Sequence, residues 1–171
     1  MASAQSTSFR RRARIARRVL ARRDERGLMV RMVGWRLLVS TLKHVVPLRR
    51  LVAIAGGGTP AGARAGRLPA QARIVELARL ACRPRLLGSN ENCLDRSLIA
   101  YRYLRAAGAS PALVIGVGQD QGAVRGHAWL TIGNDEEGGE PHRAHEDFKE
   151  LVRFAADGSM VTRGSTPTPL R

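Results

Sequence analysis

Residues 90–98 read N-E-N-C-L-D-R-S-L. A cysteine stands where an apolar helical period begins. Leu94, Leu98, Tyr101 and either Leu104 or Arg105 fall along one side of a helix over 93–107. Asn90 or Asn92 supplies an N-cap, and Gly108 with Pro111 beyond it ends the helix. A thiol at a helix start meets free backbone N–H groups and the positive end of the dipole, and both favour the thiolate. Cys93 can be an apolar plug, half of a disulfide, a metal ligand or a nucleophile. The thiolate is the attacking form, so this placement suits a nucleophile best.

The chain has 171 residues, 44% of them apolar, which suits one domain with a modest core. Its net charge of +15 is unevenly placed. Residues 1–50 hold thirteen Arg and one Lys against Asp24 and Glu25, a net +12, so the basic character belongs to an arm. Cys82 and Cys93 do not form a disulfide framework, and no tight His/Cys cluster suggests zinc. Neither a metal nor a cofactor is expected. The start, F-R-R-R-A-R-I-A-R-R, has no apolar signal stretch. The most apolar part, 28–55, is interrupted by Arg31, Arg36, Lys43, Arg49 and Arg50 and falls short of a membrane span. A cytoplasmic protein with reduced thiols is expected.

The arm over 9–23 reads as a strongly basic helix. Residues 28–46 add a wider apolar face of Leu28, Met32, Trp35, Leu38, Val39 and Leu42, ended at Pro47. Leu48–Ala55 reads as a short apolar turn. The run G-G-G-T-P-A-G-A-R-A-G-R-L-P at 56–69 reads as a linker. A helical period resumes over 70–82 through Ile74, Leu77, Ala78 and Ala81. Residues 112–118, A-L-V-I-G-V-G, predict a buried strand, 119–126 a polar loop and 127–132, H-A-W-L-T-I, a second strand. The expected boundaries are a helical basic extension at 1–55, the linker at 56–69, a catalytic domain at 70–157 and a loose tail at 158–171.

A nucleophilic thiol needs a base, and four histidines are available. His44 lies among apolar helix residues, and His142 and His145 lie in a polar segment. His127 sits on a strand whose alternation groups it with Trp129 and Thr131, opposite Ala128, Leu130 and Ile132. A helix bearing Cys, a strand, then a strand bearing His is the order used by papain-like and transglutaminase-like enzymes. An acid must orient the imidazole. If Gly133-Asn134 makes a two-residue hairpin turn, Ile132 pairs with Asp135 and His127 falls opposite Glu140. A longer loop moves that partner toward Glu146 or Asp147, and Asp135 lies too far along the strand.

Three stretches come in fixed order: C-L-D-R-S-L-I-A-Y-R-Y-L-R-A-A-G at 93–108, A-L-V-I-G-V-G at 112–118 and G-H-A-W-L at 126–130. Together they resemble the lasso-peptide biosynthesis B2 proteins, the leader peptidases related to the C-terminal half of the microcin J25 processing enzyme. The resemblance spans roughly 70–155, with P-L-R-R-L-V at 47–52 similar to the family's upstream helical region. It implies an α+β, transglutaminase-like, papain-type cysteine-protease core and a Cys-His-Asp triad, from which a Glu in the acid's place departs. By that resemblance Cys93 is the nucleophile and His127 the base. The family's acid falls about twelve residues after the His; here that slot is Gly139, with Glu140 beside it. Arg96 and Ser97 belong to the motif and are expected to be structural, Arg96 holding the helix start or a loop carbonyl.

The implied reaction removes the leader from a ribosomally made precursor and frees the core amine for an ATP-dependent cyclase. The family usually cuts after a leader whose penultimate residue is Thr. The backbone N–H of Cys93 is a natural oxyanion donor. Residues 1–69 show no run of strands, so a separate B1 recognition protein is expected to deliver the leader. The arm is expected to attract an acidic leader or partner. Two other readings compete: a transglutaminase-like acyl transferase, and a non-catalytic nucleic-acid binder using the Arg arm. With 4% aromatics and no nucleic-acid motif, specific nucleic-acid binding is not expected.

Overall fold

The computed structural model describes residues 23–57, 70–83, 93–120, 123–133 and 147–161. Four helices come first: α1 (Arg23–Leu42), α2 (Leu48–Gly56), α3 (Gln71–Ala81) and α4 (Cys93–Ala106). Strands β1 (Pro111–Asp120), β2 (Ala123–Ile132), β3 (Phe148–Phe154) and β4 (Met160–Val161) follow. Helices packed on one antiparallel sheet make this α+β, as the sequence predicts.

Helix α1 buries Leu28, Met32 and Val39 at helical spacing, in one cluster with Leu77 and Ala78 of α3 and Leu98 and Tyr101 of α4. The core therefore runs through α1 and α2 as well as through the segment after the linker. Leu38 departs from the expected face and is exposed, because it lies off the 28–32–39 line. Arg36 takes a buried place on that face instead. It donates from Nη1 to the Ala81 carbonyl at 2.8 Å and the Arg83 carbonyl at 3.3 Å, covering the end of α3 where helix carbonyls lack partners. The α1 helix ends at Leu42, ahead of Pro47, and Leu48–Gly56 is a helix, not a turn. Pro47 occupies the N-cap of α2, where its missing N–H costs nothing.

Helix α4 matches its expected extent. Leu98, Tyr101 and Leu104 are fully buried. Gly108, at φ 86°, takes the left-handed turn that ends the helix, and the Ala109 N–H closes it on the Leu104 carbonyl at 3.0 Å. Arg102 lies over the Trp35 ring at 4.2 Å and donates to carbonyls at the end of α2, joining the first two helices to α4.

The sheet order is β2-β1-β3-β4, all antiparallel. The expected polar loop at 119–126 is mostly strand: the pairing of β1 with β2 runs as far as Asp120 and Ala123. Strand β3 falls in a stretch to which the sequence reading assigns no element. It pairs with β1 and not with β2. It also slips by one residue: Gly116 pairs with Glu150 but Ile115 with Val152. The extra residue, Leu151, is a bulge that reverses the facing of β3 at its middle. Phe148 and Glu150 thus share a face with Gly118, Gly116 and His127, whereas Val152 and Phe154 turn to the helices. No helix among the described residues is long and apolar enough to cross a membrane.

Candidate active site

Cys93 is the first residue of α4, and its side chain is part-exposed. Ser97 lies one turn later on the same side of the helix. Both reach one residue of β2, Ala128. The Ser97 hydroxyl donates to the Ala128 carbonyl at 3.0 Å in a buried bond. The Ala128 backbone also hydrogen-bonds the Cys93 sulfur in the sense that favours the thiolate, which identifies the N–H as donor. A strand residue turns its N–H and C=O to the same edge. Ala128 therefore directs both at α4, and the helix covers part of the outer edge of β2. The small Ala128 side chain, 2% exposed, lets the helix approach that closely.

His127, the residue before Ala128, hydrogen-bonds the same sulfur. Burial pushes the Cys93 thiol up. The hydrogen bond from His127, the one from Ala128 and the positive charges of His127 and Arg96 outweigh burial, so the thiol sits below its ordinary value. The two residues that the sequence singles out as nucleophile and base are thus brought together. Arg96 contributes charge to the site, a role not read from the sequence.

The imidazole is held between two aromatic rings. Trp129 stacks on it at 5.9 Å between centroids and 18° between planes, and Phe148 lies at 4.9 Å and 33°. Glycines in β1 make the room. A Cβ on Gly116 would meet the Trp129 ring at 2.9 Å and the Lys149 carbonyl at 2.7 Å. One on Gly118 would meet the Phe148 ring at 3.0 Å. The alternation G-V-G at 116–118 was the available signal for rings lying across the strand. Phe148 had no such signal, because the bulge at Leu151 aims it.

Among the described residues β2 pairs only with β1, and the register partner of His127 is Gly116. The pairing with Glu140 read from a two-residue hairpin has no counterpart there, since the next strand joins the other side of β1. Glu140, Asp135 and Glu146 lie outside the described residues, as do Asn90, Asn92, His142 and His145. Asp147 is described and exposed, at the entry to β3. His44 is exposed on the turn after α1. Glu150 shares the His127 face but is engaged by Arg153 at 2.8 Å, and Arg153 also donates to Thr131. Nε2 of His127 is shielded from solvent. Among the described residues no group of three or more His, Cys, Asp or Glu could hold a metal ion.

Compared with known families, residues 29–153 match the one described as the transglutaminase-like superfamily. No curated protein and no solved structure matches the chain.

Proposed function

The chain belongs to the transglutaminase-like superfamily, and on that footing we propose that it is a cysteine peptidase that removes the leader from a lasso-peptide precursor. The observation that carries the reading is the Cys93 sulfur hydrogen-bonded by His127 at the start of α4, with its thiol held below the ordinary value. A nucleophile and base in contact, at a helix start, are what acyl transfer from a peptide bond requires.

In the proposed mechanism the Cys93 thiolate attacks the carbonyl of the leader's last residue. The backbone N–H of Cys93 faces the developing oxyanion. Protonated His127 gives its proton to the leaving amine, which is the new N-terminus of the core. His127 then takes a proton from water, and the resulting attack on the thioester releases the leader acid and restores the thiolate. The orienting acid is Glu140 in this reading. The family's acid falls about twelve residues after the His; that slot holds Gly139 here, and Glu140 is the acid beside it.

A separate B1-type recognition protein would deliver the leader, and an ATP-dependent cyclase would consume the freed amine. Such a chain would work in the cytoplasm. The test mixes the protein with precursor and recognition protein and follows leader release by mass. Wild type should cut; Cys93→Ala and His127→Ala should not. Glu140→Ala compared with Asp147→Ala tests the acid. A product carrying an added amine in place of a free leader acid would instead mark the protein as an acyl transferase.

A further inference from the structure

Ser97 has no part in the chemistry above, yet it is nearly as closed to solvent as the core, at 4% exposure. Its hydroxyl spans from α4 to β2, between residues 31 apart in the chain. A buried serine on an apolar helix face has a cost unless its hydroxyl is satisfied. Here it is satisfied by the one residue whose N–H also meets the Cys93 sulfur. Cys93 and Ser97 are spaced by one helical turn, and they take the N–H and C=O of the same strand residue. The two contacts work as a pair of pins. Together they tie the first turn of α4 to the edge of β2 at two points one helical turn apart, on the side away from the Asp95 contacts with α1.

We propose that Ser97 is a positioning residue: by holding the Ala128 carbonyl at 3.0 Å it fixes α4 against β2, keeping the Ala128 N–H and the His127 imidazole on the Cys93 sulfur. This rests on the reading of Cys93 and His127 as a working pair. It does not rest on the identity of the substrate. Tyr101, one turn beyond Ser97, anchors the middle of α4 to the carbonyls of Ala155 and Ala156. That anchor sits away from the sulfur and holds the helix without setting its first turn.

The experiment measures site-resolved alkylation of Cys93 by iodoacetamide against pH in the full-length folded protein, with thermal unfolding in parallel. Cleavage after Arg96 separates residue 93 from residue 97 for mass analysis. Ser97→Ala should slow Cys93 alkylation at pH 7 by roughly three- to tenfold, the loss expected of one weakened charge-assisted hydrogen bond, and move the profile to higher pH. Ser97→Cys keeps the volume and a weak donor, so it should fold where Ala fails and show a smaller shift of the same sign. An unchanged profile in a folded variant, even with a lower Tm, would overturn the proposal and leave Ser97 a packing residue. His127→Ala serves as the separate control on the pair itself. If that change leaves the profile untouched, the Cys93–His127 reading fails, whatever Ser97 does.

Discussion

The Asp95 carboxylate, two residues beyond Cys93, meets the Lys43 ammonium at 3.1 Å from the far side of α4. Ser40 donates to the same carboxylate at 3.1 Å. Asp95 is 5% exposed at its side chain and Lys43 21%, so this is a part-buried pair that joins the end of α1 to the first turn of the candidate catalytic helix. Asp95→Ala should lower unfolding free energy by about 1–3 kcal/mol, the range for removing one member of a buried hydrogen-bonded group. Asp95→Asn keeps an acceptor for Ser40 and should lose less. Urea unfolding measures both. Equal losses would show that charge, not hydrogen bonding, holds α1 in place.

Cys93 and Cys82 should differ sharply in reactivity. Cys82 is 1% exposed and should resist alkylation in the folded protein. Cys93 is part-exposed and its thiol is lowered against the burial that raises it. The thiolate reacts, so Cys93 alkylation should hold to lower pH than the same cysteine in the unfolded chain. By linkage, a depressed thiol stabilises the fold above the unfolded thiol value, and that contribution is lost as pH falls through the folded one. Mass-resolved alkylation over a pH series tests this; matching folded and unfolded profiles would refute it.

Gly116→Ala should damage the sheet face that holds His127. Its Cβ would fall 2.7 Å from the Lys149 carbonyl and 2.9 Å from the Trp129 ring, and backbone cannot yield cheaply. Overpacking of this kind costs about 1–3 kcal/mol. The Trp129 ring should also shift away from the imidazole, which near-ultraviolet circular dichroism would report. Gly34→Ala is the control: its Cβ meets nothing within 4 Å, and it lies within α1. There the change should stabilise by about 0.5–1 kcal/mol.

Tyr101→Phe should remove the phenol that donates to the Ala155 carbonyl at 2.6 Å and the Ala156 carbonyl at 3.1 Å. The expected loss is about 0.5–1.5 kcal/mol. Burial raises the Tyr101 phenol, offset in part by Arg105. A raised group stabilises the fold fully below its unfolded value and loses that contribution as pH rises through the folded one. Wild type should therefore lose stability at alkaline pH in a step that the Phe variant lacks. Denaturant midpoints at neutral and alkaline pH compare them.

Much of the helical half was legible because helices are written locally. The 3.6-residue period named Ile74, Leu77, Ala78, Leu98, Tyr101 and Leu104, all buried. Gly108 stopped α4 through its own backbone freedom. Cys93 and His127 stood out by residue type and by position on their elements, and the surrounding motif joined them. What a helix face packs on is not local, which is why the apolar pattern places Leu38 inward and leaves Arg36 out, the reverse of their burial.

Strand facing was the part that sequence could not decide. Period-two alternation puts Phe148, Glu150, Val152 and Phe154 on one face. The bulge at Leu151 divides them, two toward His127 and two toward the helices. A bulge is settled by competition between pairings across strands, and no residue of β3 announces it. The same holds for Ala128: every residue type but proline has both an N–H and a C=O, so only the docking of α4 on the edge of β2 could reveal that its backbone joins Cys93 and Ser97. Sequence alone singled out Cys93 and His127 as the candidate nucleophile and base. Tertiary packing decided which backbone groups and rings hold them, because those contacts depend on elements far apart in the chain.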